Sequence, residues 1–392
     1  MACVSAHSEQ AELPLTGCRV VERSRSVAGA YTGRLLAAMG ATVVMVEPPE
    51  GSTLRTAPPL LDTSRHHSAL FAFLSPGKRS LICDLRSLEG RTTLGNELAG
   101  SDLLIDDTPL RERAGCGLDP DELAARFPHL VHVSVLPFGA SGPKAEWDGE
   151  ELNLLHAGGE GFLLPNGLSH ELFPDRPPLK IYGHFAEYQA GAMAAFAALS
   201  AWWCAPQFGG QFVDVSVQDA VLAVGAFALQ RLGDGSLEHR STRRFRYGGV
   251  FEARGGFVEL LTLEERQWQG LVQLLGNPAW ARDETLRDPL ERSRRGDDIN
   301  QHIRGWMRAH DVDDIVERAQ QLNVPAAKYR TPAEVIAGPH ERARGLFAPL
   351  RLQGAEHAEA EVLVAPFQFR CSPPPPEQWV PALGELNAER TA

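Results

Sequence analysis

The segment HFAEYQAGAMAAF (184–196) places one carboxylate, Glu187, just ahead of a small-residue run that reads as the first turns of a buried helix. Two roles fit a glutamate there. A negative charge at a helix start is favoured by the free N–H groups and the dipole. The other role is that of a catalytic carboxylate. A second acidic stretch, WDGEELN (147–153), carries three acids in four positions after a turn. It reads as a helix N-terminal turn, or as the partner of Glu187 in a two-carboxylate acid/base pair.

Basic residues give a second set of candidates. SPGKRSLICDL (75–85) puts Lys78 and Arg79 just before a buried strand, as a solvated turn or as a clamp for phosphate near the crevice side of a sheet. Arg113, in RERAGCGLDPDEL, is a similar candidate. The histidine pairs His66–His67 and His129/His132 are poor metal sites. Adjacent rings rarely reach one ion, and strand residues three apart point to opposite faces. H-E-x-x-H, G-x-S-x-G, G-x-G-x-x-G and the phosphate-loop motif are all absent, which removes motif support for zinc proteases, serine hydrolases and dinucleotide enzymes. No metal site is expected.

The elements that must position these groups are readable. GCRVVE (17–22), AYTGRLLAAMG (30–40) and ATVVMVEPP (41–49) form a strand–helix–strand unit closed by Gly40 and by prolines. RSLICDL (79–85), SLEGRTTLGNELAG (87–100) and SDLLIDD (101–107) form another. HLVHVSVLPFG (129–139) adds a buried strand, and GGQFVDVS (209–216) runs as a strand into the helix at 217–232. Such alternation predicts an α/β fold: a doubly wound, Rossmann-like parallel sheet with right-handed crossovers. Residues 150–205 read as mainly helical. The Gly- and Arg-rich stretch 233–256 marks the crossing into a smaller α/β domain with a strand at 257–263 and helices at 264–276, 298–309 and 312–322. The proline-rich tail 371–385 reads as extended.

The chain has 392 residues, enough for two domains, with 43% hydrophobic and 22% charged residues. A net charge of −12 argues against non-specific nucleic-acid binding. No apolar run has the length of a membrane span, and no signal-peptide pattern opens the chain. The six cysteines are scattered, with no C-x-x-C, as for reduced thiols in the cytoplasm.

In order, VAGAYTGRLLAAMGATVVMVEPPEG, LSPGKRSLICDLRSLEG, RAGCGLDPDEL, PHLVHVSVLPFGASGP, GGQFVDVSVQDAV, ERQWQGLVQLLG, NVPAAKYRTPAEV and RARGLF resemble the class III CoA-transferases, the CaiB/BaiF family, which includes the α-methylacyl-CoA racemases. The resemblance covers roughly residues 17–385. It implies a large domain begun by residues 1–205 and completed by a return segment at 331–392, a linker strand and helix at 206–232, and a small domain at 233–330. It implies an interlocked dimer, coenzyme A or acyl-CoA as substrate, and no tightly bound cofactor. By position, Val27, Ala28, Lys78, Arg79 and Arg113 match segments that line the CoA site. Glu187 stands where family transferases have a nucleophilic aspartate, and Glu150 stands where the racemases have a histidine. Two further stretches depart from the family: RFRYGGVF has two glycines where some transferases have a glycine-rich loop, and APQFGGQ replaces a basic turn. The resemblance thus implies a CoA-transferase acting through Glu187. The alternatives are an acyl-CoA racemase using Glu150 and Glu187, or a non-catalytic subunit paired with an active paralogue.

Overall fold

The computed structural model describes residues 12–61, 68–164, 173–225, 247–352, 360–369 and 378–391. The pair His66–His67, much of the Gly- and Arg-rich crossing and the start of the proline-rich tail lie outside these residues. The chain divides into two compact units. One comprises Met1–Phe162, Leu179–Ser236 and Arg342–Ala392, and the other comprises Leu163–Pro178 and Leu237–Glu341.

The first unit is built on a six-stranded sheet. Its elements run β1 (Arg19–Arg23), α1 (Val27–Ala38), β2 (Thr42–Glu47), α2 (Ala69–Leu74), β3 (Lys78–Ile82), α3 (Leu88–Ala99), β4 (Leu103–Asp106), α4 (Leu110–Cys116), α5 (Pro120–Arg126), β5 (Val131–Leu136), α6 (Glu151–Ala157), α7 (Phe185–Phe208), β6 (Phe212–Ser216) and α8 (Val217–Val224). Strand order is β3-β2-β1-β4-β5-β6, and every neighbouring pair is parallel. The order reverses between β1 and β4. Helices leave that point in opposite directions, which opens a crevice at the strands' carboxyl ends.

The strands read as continuous apolar runs because both faces are covered. Val20, Leu103 and Ile105 point into one core, with Ala28, Leu36 and the alanines of α7. Their neighbours Val21 and Leu104 point into the other, with Leu94, Leu98 and Leu123 from α3 and α5. Ser26 caps α1 by accepting from Gly29 N at 3.1 Å, and Gly40, at φ +100°, ends the turn that follows it.

The small residues of α7 serve close packing. A Cβ on Gly191 would lie 2.7 Å from the Ala28 carbonyl oxygen, so α1 and α7 meet nearly backbone to backbone. Buried Ala186, Ala190, Ala194 and Ala198 continue that stripe. The opposite face of α7 is exposed and apolar, with Phe196 at 72% and Trp203 at 81% of full exposure.

The second unit carries an antiparallel sheet of β7 (Gly249–Ala253), β8 (Gly256–Leu260) and β9 (Ala326–Lys328), with helices α9 (Glu265–Leu274), α10 (Gly296–Arg308) and α11 (Val312–Gln321). Phe251, Val258, Trp268, Leu271, Ile303 and Ile315 fill its core. The chain then re-enters the first unit through β10 (Phe347–Arg351), β11 (Ala360–Leu363), β12 (Gln378–Trp379) and α12 (Glu385–Thr391). Among the described residues, no helix is long and apolar enough to cross a membrane.

Candidate active site

A cleft of about 490 Å³ opens where the sheet order reverses, lined by the loops after β1, β4 and β5 and by the starts of α6 and α7. Both helix α1 and helix α7 point their N-termini toward it. Asp107, at the end of β4, fixes the β1–α1 loop: its carboxylate accepts from Ser26 N at 2.6 Å and from Arg25 N at 2.7 Å. Burial pushes the Asp107 carboxyl above its ordinary value.

Gly183, at φ +88°, turns the chain into α7. The first N–H groups of that helix have no intrahelical acceptor. Glu151 supplies one. Its Oε1 accepts from Ala186 N at 2.9 Å and its Oε2 from Glu187 N at 3.1 Å, and the residue is only 6% exposed. Burial raises the Glu151 carboxyl, the two backbone donors opposing the shift.

Glu187 therefore does not cap its own helix, and its carboxylate reaches outward. Oε1 accepts from Val27 N, the first residue of α1, at 3.1 Å. Oε2 lies 2.7 Å from His184 Nδ1. The hydrogen bond to Glu187 raises the His184 pKa above 6.5, burial opposing. Tyr188 packs edge-on against Tyr31 at 4.9 Å and Phe73 at 5.9 Å, and burial pushes its hydroxyl up to about 12. A buried-side hydrogen-bond frame thus surrounds one carboxylate that faces the cleft at a helix N-terminus, an arrangement suited to a nucleophile or base.

Glu151, His184 and Glu187 offer ligand atoms all within 4.8 Å of one another. Each carboxylate oxygen of this group already has a hydrogen-bond partner, so the cluster is satisfied by the protein itself. His132, on β5, is buried with Nε2 3.2 Å from Asp106, and His129 lies in the exposed turn before that strand.

Of the residues singled out in the sequence, Glu187, Glu150 and Val27 line the cleft. Glu150 is exposed and starts α6, with its N–H donating to Asn153 Oδ1 at 2.7 Å. The carboxylate that meets the Glu187 segment is its neighbour, Glu151. The basic candidates do not line this cleft. Lys78 is fully buried on β3, its Nζ 2.7 Å from Glu22 Oε2 and donating to the Ala30 carbonyl at 2.7 Å. Arg113 is 1% exposed and donates to Thr108 O and Ser134 Oγ beside Asp106. Arg79 pairs with Glu385 and Glu389 of α12 at the sheet edge. Ala28 is fully buried against α7. The cations that do line the cleft are Arg25, after β1, and Arg111, after β4. They pair with Glu112 at 3.3 Å and with Asp148 at 2.9 Å, and their side chains are 39% and 47% exposed. The rule that ligands bind at the loops flanking the strand-order reversal points to both, because one follows each switch strand.

Comparison with known proteins agrees with this architecture. The chain belongs to CoA-transferase family III, whose model matches residues 15–387. It is 28% identical to succinate–glutarate CoA-transferase of Agrobacterium fabrum, over 97% of each chain. It is also 28% identical to the α subunit of succinyl-CoA–L-malate CoA-transferase of Chloroflexus aurantiacus, over 88% of this chain and 81% of that one. Among solved structures, a CaiB/BaiF family protein from Brucella suis superposes with a TM-score of 0.82 at 28% identity, covering 97% of this chain and 99% of the other.

Proposed function

We propose that this family member moves CoA from an acyl-CoA donor to a carboxylic acid acceptor, with Glu187 as the nucleophile. The observation that carries the reading is the Glu187 carboxylate, held between Val27 N–H and His184 at the cleft over the strand-order reversal. A Glu187 oxygen attacks the thioester carbonyl carbon, the new C–O bond forms, and the C–S bond breaks to release CoA thiolate. The thiolate attacks the glutamyl carbonyl carbon of the resulting anhydride and expels the donor acid as its carboxylate, leaving a glutamyl-CoA thioester. The acceptor carboxylate repeats the sequence in reverse, and Glu187 returns as the free carboxylate. No electron or net proton is consumed. During attack on the glutamyl carbon, negative charge builds on an oxygen beside the α1 N-terminus, where Val27 N–H stabilises it.

Relatives named for succinate, glutarate and malate support a four- or five-carbon dicarboxylic acid as the acyl group. Arg25 and Arg111 are the groups assigned to the ligand's negative charges, in place of Lys78, Arg79 and Arg113. The exposed apolar face of α7 supports association with a second copy of the chain.

The direct test is peptide mapping after mixing with succinyl-CoA. A CoA or succinyl adduct on Glu187, together with loss of exchange in Glu187→Gln, is the expected result. CoA binding without an adduct or any exchange into a dicarboxylic acid would sink the reading.

A further inference from the structure

The assignment of Glu187 as nucleophile, on which this inference rests, raises a mechanical problem. A glutamate has one more methylene and one more torsion than an aspartate. The extra methylene moves the carboxylate by about 1–1.5 Å. Misplacement near 1 Å costs on the order of 10²-fold in rate. Something must fix the tip of the longer side chain.

The backbone at Glu187 is already fixed, because Glu151 takes its N–H. The carboxylate is not fixed by one donor. Val27 N–H holds Oε1 at 3.1 Å, which leaves the group free to swing about that contact. His184 Nδ1 holds the other oxygen at 2.7 Å. A carboxylate only accepts, so the proton sits on Nδ1. The two donors come from different elements, one from the start of α1 and one from the residue just ahead of α7. The imidazole is placed in turn by the edge of Tyr188, with ring centroids 6.3 Å apart, and Tyr188 is wedged against Tyr31 and Phe73.

We propose that His184 is a positioning residue: its Nδ1–H pins Oε2 so that the Glu187 carboxylate is held in one orientation for attack on the thioester. His184 makes and breaks no covalent bond. It faces Glu187 and Tyr188 on α7, Glu151 from α6, and Lys180 from the approach segment. The two carboxylates favour its protonated form and Lys180 opposes it. The imidazolium gives the shorter, stronger charge-assisted bond, so the clamp weakens as pH rises through the His184 pKa.

The experiment uses the whole chain with succinyl-CoA and glutarate, after mapping the adduct on wild-type Glu187. His184→Leu removes the donor. Its kcat should fall on the order of 10–10²-fold, with KM for both substrates near wild type. His184→Asn places an amide N–H where Nδ1 stood. It should recover most of kcat and abolish the decline at rising pH, since it does not titrate. In Glu187→Asp the side chain no longer reaches His184, so the loss in the double variant with His184→Leu should be smaller than the product of the single losses. The proposal is overturned if wild type forms the adduct while His184→Leu keeps wild-type kcat, or if His184→Asn behaves as His184→Leu. Absence of any adduct in wild type overturns the nucleophile assignment itself, which is a distinct result.

Discussion

Glu151→Ala isolates the frame that holds Glu187, the proposed nucleophile. Glu151 accepts from Ala186 N at 2.9 Å and Glu187 N at 3.1 Å while 6% exposed. Hydrogen bonds to a charged acceptor contribute about 1.5–3 kcal/mol each, so the gross loss is about 3–6 kcal/mol. Two effects offset part of it. Ionising a buried carboxyl is costly, as its raised pKa records, and water from the adjoining cleft can reach the emptied site. The net falls near the upper end of helix-cap deletions, about 2 kcal/mol. At about 1.4 kcal/mol per decade this is roughly a 30-fold change in the local opening equilibrium. The assay is amide hydrogen exchange on the peptide 184–196, where the first amides of α7 should exchange roughly 30-fold faster than in wild type. Glu150→Ala, one residue away but exposed at the cleft, should leave that peptide unchanged. Exchange of the Glu151→Ala peptide within about three-fold of wild type would refute the assignment of Glu151 as the cap that fixes Glu187.

Other perturbations address the neighbouring parts. Val27→Pro deletes the donor to Oε1 and sets a ring carbon in place of the N–H hydrogen, crowding that oxygen; proline suits the first helical position, so the fold should persist by circular dichroism while kcat falls about 10²-fold. Lys78→Met strands Glu22, 3% exposed, and should cost about 3–5 kcal/mol in urea denaturation, whereas Arg25→Ala and Arg111→Ala should raise KM for succinyl-CoA about 10-fold with stability unchanged. The His184 pKa is raised in the folded chain, so its stabilising contribution is complete below pH 6.5 and is lost as pH rises through the folded value; the stability gap between wild type and His184→Leu should narrow from pH 6 to pH 9. Trp203→Asp places a charge on the exposed face of α7 and should shift sedimentation toward a monomer.

The strands and major helices were legible because their physics is local. Apolar runs bounded by Gly40 or by Pro48 and Pro49 set where β2 begins and ends, and Ser87 marks the start of α3; α1 begins at Val27, ahead of the expected start at Ala30, because Ser26 caps it. Glu187, the proposed nucleophile, was singled out by its place ahead of the small-residue helix, and it lines the cleft. Its partner was not. Glu150 and Glu151 are adjacent acids of like composition, and only the turn of α6 decides which faces α7. The burial of Lys78 and Arg113 was hidden for a related reason. A lysine before an apolar strand looks exposed in a linear reading, yet Glu22, distant in sequence on β1, draws Lys78 inside. Arg113, on α4, likewise joins Asp106 of β4 and Ser134 of β5. Pairings set by strand order leave no mark on local sequence.

The seat of α12 has a consequence for how the molecule is made. β3 is an outer strand, with an edge left open by β2. Asn387 closes that edge as a strand would: its side chain accepts from Ile82 N and donates to Ile82 O, 305 residues away in the chain. Gly384 N adds a bond to Ser80 Oγ, and Arg79 grips Glu385 and Glu389. During translation, β3 therefore leaves the ribosome long before its cover exists. At about 5–20 residues per second the bare edge persists for roughly 15–60 s, open to pairing with other nascent chains. Chaperone demand should concentrate in that interval.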